Sequence, residues 1–165
     1  MLPFRLFWVT ISTPDLDRTI QWYQDKFGFQ VYLRKDFPDF GTRIAHLDIH
    51  DFRIELIEQS SAVPMVVPHG DPPNHTNVHG FSQFALLVDD LDGKVEELKS
   101  KGVETVWIKR VDPDLKLSFQ FIKDCDGNKI QLIELMQEAK AHLTGLINQG
   151  GFRFSYQNPP TNRSN

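Results

Sequence analysis

The sequence predicts an α+β fold in which one strand–helix–three-strand unit is used twice, and three observations carry that prediction. Ile54-Glu55-Leu56-Ile57-Glu58 returns 76 residues later as Ile130-Gln131-Leu132-Ile133-Glu134. Upstream, Thr13-Pro14-Asp15-Leu16-Asp17 returns 75 residues later as Val88-Asp89-Asp90-Leu91-Asp92. Between the two motifs of each copy, apolar residues recur first at helical spacing and then in short β-rich runs. Two matches at nearly one offset mark an internal duplication, which sets the architecture before any single element is assigned.

The elements of the first copy follow in order. Phe7-Trp8-Val9-Thr10-Ile11 is a β-rich run stopped by Thr13-Pro14. Pro14 then opens a helix whose first turn carries Asp15 and Asp17, where the positive end of the helix dipole favours acids. Leu16, Ile20, Tyr23 and Phe27 form its apolar stripe, and Gly28 ends it. Strands are expected at 30–34, 42–49 and 52–57. In the second copy the strand is at 82–88, and Leu91, Val95 and Leu98 make the helical stripe, closed by Gly102. Further strands are expected at 103–108, 117–122 and 129–135, the last after the tight turn Asp126-Gly127-Asn128.

The module boundaries are therefore about 4–58 and 81–135, within one domain spanning 1–136. The linker 59–80 holds Pro64, Pro68, Pro72 and Pro73, which disfavour regular structure. Beyond it, 138–147 is expected to form a helix and 150–165 a mobile tail.

A two-residue turn at His50-Asp51 pairs Ile49 with Phe52, Asp48 with Arg53, Leu47 with Ile54, His46 with Glu55 and Ala45 with Leu56. Opposed residues share a face. One face then holds Ala45, Leu47, Ile49, Phe52, Ile54 and Leu56 and must lie against the helix. The other holds His46, Asp48, Arg53 and Glu55. A slip of one residue would scramble the apolar set, so the alternation itself specifies the register.

Bulk properties exclude several function classes. A net charge of −4 argues against a nucleic-acid or anionic-membrane surface. A single cysteine, Cys125, excludes an internal disulfide and fits a reducing compartment. Met1 to Ile11 alternates without an apolar run, unlike a signal peptide, and no stretch reaches the length of a membrane span, so a cytoplasmic setting is expected. No phosphate-binding Gly loop, nucleophile elbow or CxxC pair is present.

The motifs quoted above, with Trp22-Tyr23, Phe27-Gly28-Phe29 and Asp124-Cys125-Asp126-Gly127-Asn128, resemble the vicinal oxygen chelate superfamily. That family includes glyoxalase I, bleomycin-resistance proteins, extradiol dioxygenases and methylmalonyl-CoA epimerases. The resemblance covers about residues 6–135 and implies two tandem βαβββ modules forming one open half-barrel sheet with helices outside. In metal-using members the first strand of each unit commonly supplies His or Gln and the last strand supplies Glu. Those positions here are Trp8, Glu55, Gln83 and Gln131. An indole cannot ligate a divalent ion, and two amides with one carboxylate neutralise a dication poorly. The resemblance therefore implies a degenerate site with no cofactor, the alternative being a weak metal held by Glu55, Gln83, Gln131 and His46 or His79.

The candidate residues carry competing readings. Trp8 is either core or a flat apolar wall for a planar ligand. Glu55 with His46 is either a polar pair on a solvated face or, in a dry cavity, a general base with its partner. Asp48–Arg53 reads as an ordinary cross-strand ion pair, weak if exposed. Lys109 and Arg110 read as a solvated loop, and Cys125 as a turn substitution. His69, His75 and His79, spaced six and four apart, fit no standard metal motif, and His79 is the best placed to reach a cavity. The expected activity is binding of a small, planar or aromatic molecule by Trp8, Gln83, Gln131 and His79. Its alternative is a lyase, isomerase or epimerase using Glu55. The expected partner is that ligand alone, in a monomer or homodimer.

Overall fold

The computed structural model describes residues 7–50 and 52–141. The first module comprises β1 (Val9–Ser12), α1 (Leu16–Phe27), β2 (Gln30–Phe37), β3 (Thr42–Ile49) and β4 (Phe52–Gln59). The second comprises β5 (Gln83–Leu87), α2 (Leu91–Ser100), β6 (Thr105–Asp112), β7 (Leu117–Lys123) and β8 (Lys129–Leu135). Both are βαβββ units. The open sheet implied by the resemblance is hydrogen-bonded as two four-stranded sheets, ordered β1-β4-β3-β2 and β5-β8-β7-β6. In each, the first strand runs parallel to the last and the remaining neighbours are antiparallel.

Several boundaries shift for local reasons. Trp8 precedes β1, which starts at Val9. Pro14 lies outside α1, because Asp15 is the N-cap, with φ −149° and a carboxylate that accepts from the Arg18 N–H at 3.0 Å. Asp90 caps α2 in the same way, accepting from the Gly93 N–H at 3.0 Å. Each helix start also receives a carboxylate from the last strand of its own module. Glu58 accepts from the Leu16 N–H at 2.7 Å, and Glu134 accepts from the Leu91 N–H at 3.1 Å. These are donors that a helix cannot satisfy internally. The glutamate that closes both copies of the repeated motif thus has a structural role.

The β3–β4 register is the one the alternation requires: Ile49 opposite Phe52, Asp48 opposite Arg53, Leu47 opposite Ile54, His46 opposite Glu55 and Ala45 opposite Leu56. Ala45, Leu47, Ile54 and Leu56 are fully buried against α1, whose Leu16, Ile20 and Tyr23 face them. One apolar core contains these residues together with Phe84, Leu91, Val95, Leu98, Ile130 and Leu132 of the second module.

The helix-bearing sides of the two modules meet. The Phe52 and Phe84 rings lie 5.7 Å apart. Tyr23 on α1 donates to Asp124 at 2.9 Å, and Thr19 and Arg18 bond Asp126 in the same turn. That turn closes at Gly127, whose φ of +84° suits glycine. With its helix side turned inward, each sheet presents its opposite face outward.

The linker 59–80 is largely irregular, apart from a short 3₁₀ turn at Asn74–Thr76. Part of it lies across the outward face of the second sheet. Lys129 donates to the His69 carbonyl at 3.0 Å, Lys123 pairs with Asp71 at 3.0 Å, and Ser82 bonds the His75 carbonyl at 3.0 Å. The expected C-terminal helix is under way at 137–141. Its remainder and the tail expected to be mobile lie outside the described residues.

Candidate functional site

On the outward face of the first sheet, β1, β3 and β4 bring three of the predicted residues together. Glu55 lies between Thr10 of β1 and His46 of β3 in register. The Thr10 hydroxyl donates to Glu55 Oε2 at 2.8 Å, and His46 Nε2 lies 3.0 Å from Glu55 Oε1. The Trp8 ring is 5.0 Å from the His46 ring, and the Phe7 ring is 4.5 Å from Trp8. His46 and Glu55 side chains are each 13% exposed, whereas Trp8 is 36% exposed. A carboxylate bonded at both oxygens is thus joined through His46 to a partly exposed indole. Thr10 is a site residue that alternation alone left unassigned, although its position on the face of Glu55 was readable from the parallel pairing of β1 with β4.

Asp48 and Arg53 form the expected cross-strand ion pair, but the condition for its being weak, exposure, does not hold for Arg53. Arg53 is only 6% exposed and grips Asp48 with two hydrogen bonds, Nε to Oδ1 at 2.6 Å and Nη2 to Oδ2 at 2.7 Å. Its guanidinium lies 4.2 Å from the Tyr32 ring centroid and 5.7 Å from that of Phe7. Tyr32 occupies a break in the β2–β3 register, so its ring turns over Arg53 on the outward face. A planar guanidinium stacks on aromatic faces while remaining bidentate to a carboxylate, which accounts for its tolerance of burial here.

Gln83 and Gln131 lie on the other sheet, in β5 and β8, and no contact joins them to Glu55 among the described residues. Gln131 stands opposite Ala85 and Phe121, and Gln83 opposite Lys129. Gln83 Oε1 is buried with no hydrogen-bond partner among the described residues. His75 packs its ring 4.8 Å from Phe121 beneath the linker, while His79 is exposed at the linker's end. His69 Nδ1 lies 3.0 Å from the His75 carbonyl, so the histidines organise the linker itself. Cys125 is half-buried with its sulfur 3.6 Å from the Thr19 hydroxyl, and burial pushes its thiol pKa up, the opposite of activation. Lys109 and Arg110 are in β6 and not in a loop, and Lys109 pairs with Asp92 at 2.7 Å.

The residues present do not fit a divalent metal of the kind the resemblance implies. Trp8 has no lone pair to offer, and both Glu55 oxygens are already engaged by Thr10 and His46. The two glutamines belong to the second sheet. Among the described residues, no group of three or more His, Cys, Asp or Glu side chains is arranged to hold a metal ion.

The duplicated βαβββ architecture and the paired motif positions define a class of protein. The chain belongs to the Glyoxalase/Bleomycin resistance protein/Dioxygenase superfamily, whose family model matches residues 5–132. A probable lactoylglutathione lyase from Synechocystis sp. is 26% identical over 124 residues, covering 75% of this chain and 90% of that protein. A putative lactoylglutathione lyase from Brassica oleracea is 29% identical over 133 residues, and this chain spans only 44% of its length. The crystal structure of a glyoxalase family protein from Enterococcus faecalis shares the fold with a TM-score of 0.65 at 22% identity, covering 79% of this chain and 97% of that one. No helix among the described residues is long and apolar enough to cross a membrane.

Proposed function

We propose that the protein binds a small planar molecule on the outward face of its first sheet, against Trp8 and beside Glu55 and His46, without a tightly held divalent metal. The observation that carries this reading is a partly exposed indole packed on His46, which together with Thr10 holds the Glu55 carboxylate. An aromatic wall supplies the area that binds, and a fixed acceptor supplies orientation. A second reading is favoured by the same His46–Glu55 contact together with the lyase names of the relatives. In it, Glu55 takes a proton next to a substrate carbonyl and His46 orients the carboxylate.

Two variants separate the readings. Trp8→Ala is expected to weaken ligand binding by about 1–3 kcal/mol, the range for an aromatic anchor. Glu55→Gln is nearly isosteric: a proton-transfer enzyme loses turnover and keeps affinity, while a binder changes modestly in affinity. Binding is followed by Trp fluorescence in a thermal-shift-selected set of small aromatics and oxo acids. Metal analysis of protein purified without chelator completes the test, since stoichiometric nickel, zinc, iron or manganese lost on Glu55→Gln refutes the metal-free reading. If neither variant alters binding or turnover of an identified ligand, the first-sheet site is wrong.

A further inference from the structure

The duplication sets the two outward faces in correspondence, and the linker treats them differently. An offset of 76 makes Lys129 the counterpart of Arg53 and Gln131 that of Glu55. Strand pairing then makes Lys123 the counterpart of Asp48 and Phe121 that of His46. On the first face Arg53 has its carboxylate, Asp48, on the neighbouring strand, and the Trp8 ring lies 5.0 Å from that of His46. The second sheet supplies neither contact. Lys123 stands directly opposite Lys129, and like charges so placed destabilise a sheet. At the position of Trp8 stands Gln83, which has no ring to offer.

Both missing contacts come from the linker. Asp71 pairs with Lys123 at 3.0 Å and lies 4.0 Å from Lys129, and the His75 ring lies 4.8 Å from that of Phe121. Two bonds to linker carbonyls hold the segment down: Lys129 donates to that of His69 and Ser82 to that of His75. Phe121 and Lys129 are thereby 1% and 7% exposed, whereas Trp8 on the first face is 36% exposed. The closure is of a releasable kind. The segment is irregular apart from one 3₁₀ turn, and the Asp71 carboxylate is exposed, where water and salt weaken an ion pair. Beneath it lie parts that suit a flat molecule: the Phe121 ring, with Trp107 6.5 Å away, and the Gln131 amide opposite Phe121.

We infer that linker residues 69–75 form an autoinhibitory strap, which closes the second outward face to the planar ligands that the first face takes. The inference rests on the proposed reading of the first face. With the strap down, His75 holds the ring-packing place on Phe121 and Asp71 neutralises the lysines. With it lifted, Phe121 offers its ring to a flat molecule and Gln131 offers an amide to that molecule's polar edge. The fraction of time the strap is lifted then scales the apparent affinity of this face.

The probe is 2-naphthol, a neutral planar aromatic with one hydroxyl, titrated into the full-length protein while the side-chain amide NMR signal of Gln131 is followed. Asp71→Asn combined with His75→Ser removes both strap contacts and alters neither sheet. In this variant hydrogen exchange across 69–79 should accelerate about tenfold, with a single melting transition retained. Lys123→Gln loosens the same closure from the sheet side and should act in the same direction. In Trp8→Ala, which disables the first face, 2-naphthol should leave Gln131 unmoved. Adding the two strap substitutions should bring saturable shifts at Gln131, with apparent affinity rising by about the same tenfold factor as exchange. Faster exchange without shifts at Gln131 overturns the inference, and so does unchanged exchange in both strap variants. Equal shifts at Gln131 with and without the strap substitutions also overturn it, because the face is then open already. Overall 2-naphthol binding that Trp8→Ala fails to weaken counts against the function proposed above, while the Gln131 signal still decides the strap.

Discussion

His75 shows how a single side chain reports on its surroundings. Burial lowers its pKa below the ordinary imidazole range, the nearby positive charge of Lys129 acts in the same direction, the Pro73 carbonyl opposes both, and His69 adds a smaller lowering. The unfolded chain therefore binds the proton at a higher pH than the folded one. Stability from this group is full above the ordinary imidazole pKa, falls as pH drops through it, and levels off below the folded value. Hydrogen exchange across 69–82, corrected for intrinsic rates, should accelerate between about pH 7.5 and about pH 5.5. His75→Phe, which keeps the ring contact with Phe121, should abolish that acceleration. An unchanged pH response in His75→Phe would assign it to other groups. Cys125 gives a complementary expectation. Because burial raises its thiol pKa, its alkylation by iodoacetamide should be about tenfold or more slower in folded than in unfolded protein.

Among the elements, the β3–β4 hairpin was the most legible in the sequence, because its apolar residues alternate and any slip exposes them. The energetic weight of Arg53 was not. Alternation placed it on the outward face and so suggested exposure, but Tyr32 and Phe7 cover it, and Tyr32 gets there through a register break that leaves no sequence mark. Asp48→Ala leaves a guanidinium that is 6% exposed without this partner. It should cost about 2 kcal/mol in chemical denaturation, toward the lower side of buried pairs because Asp48 is itself 29% exposed. Asp17, on the surface with Arg34 and Arg43, should tolerate alanine with little effect. Glu58 and Glu134 were visible as a repeated residue but not as helix caps, since nothing local in β4 or β8 reveals which N–H their carboxylates reach. Alanine at either should cost about 1 kcal/mol, the typical worth of a cap. Trp107 lies furthest from what a sequence discloses: the strand was expected, its bulge and positive φ were not.

At the scale of the whole molecule, the duplication predicted the order of elements but not which sides of the modules meet. Periodicity assigns a face to each strand and says nothing of how two modules dock. The docking leaves Glu55 on one sheet and Gln131, its equivalent in the repeat, on the other, with Gln83, the equivalent of Trp8, beside Gln131's strand. It also ties the modules together by chemistry that each alone would leave exposed. Tyr23 and Asp124 are both buried, and burial followed by the Asp124 charge drives the Tyr23 hydroxyl pKa well above its ordinary value, so it remains a donor. Phe52 and Phe84 pack across the junction, and one core runs through both helix layers. A single module would expose that apolar surface, and a chain of half this length is short for an independent core. Fragments 1–68 and 80–165 should therefore be unstable or self-associating when made separately. The full chain should melt in one transition, with equal midpoints by Trp fluorescence and far-UV circular dichroism. Tyr23→Phe should lower that midpoint without splitting it, because the bond it removes belongs to the shared core. Two monomeric fragments with separate, cooperative transitions, or a two-step melt of the whole chain, would show instead that the modules fold alone and dock afterwards.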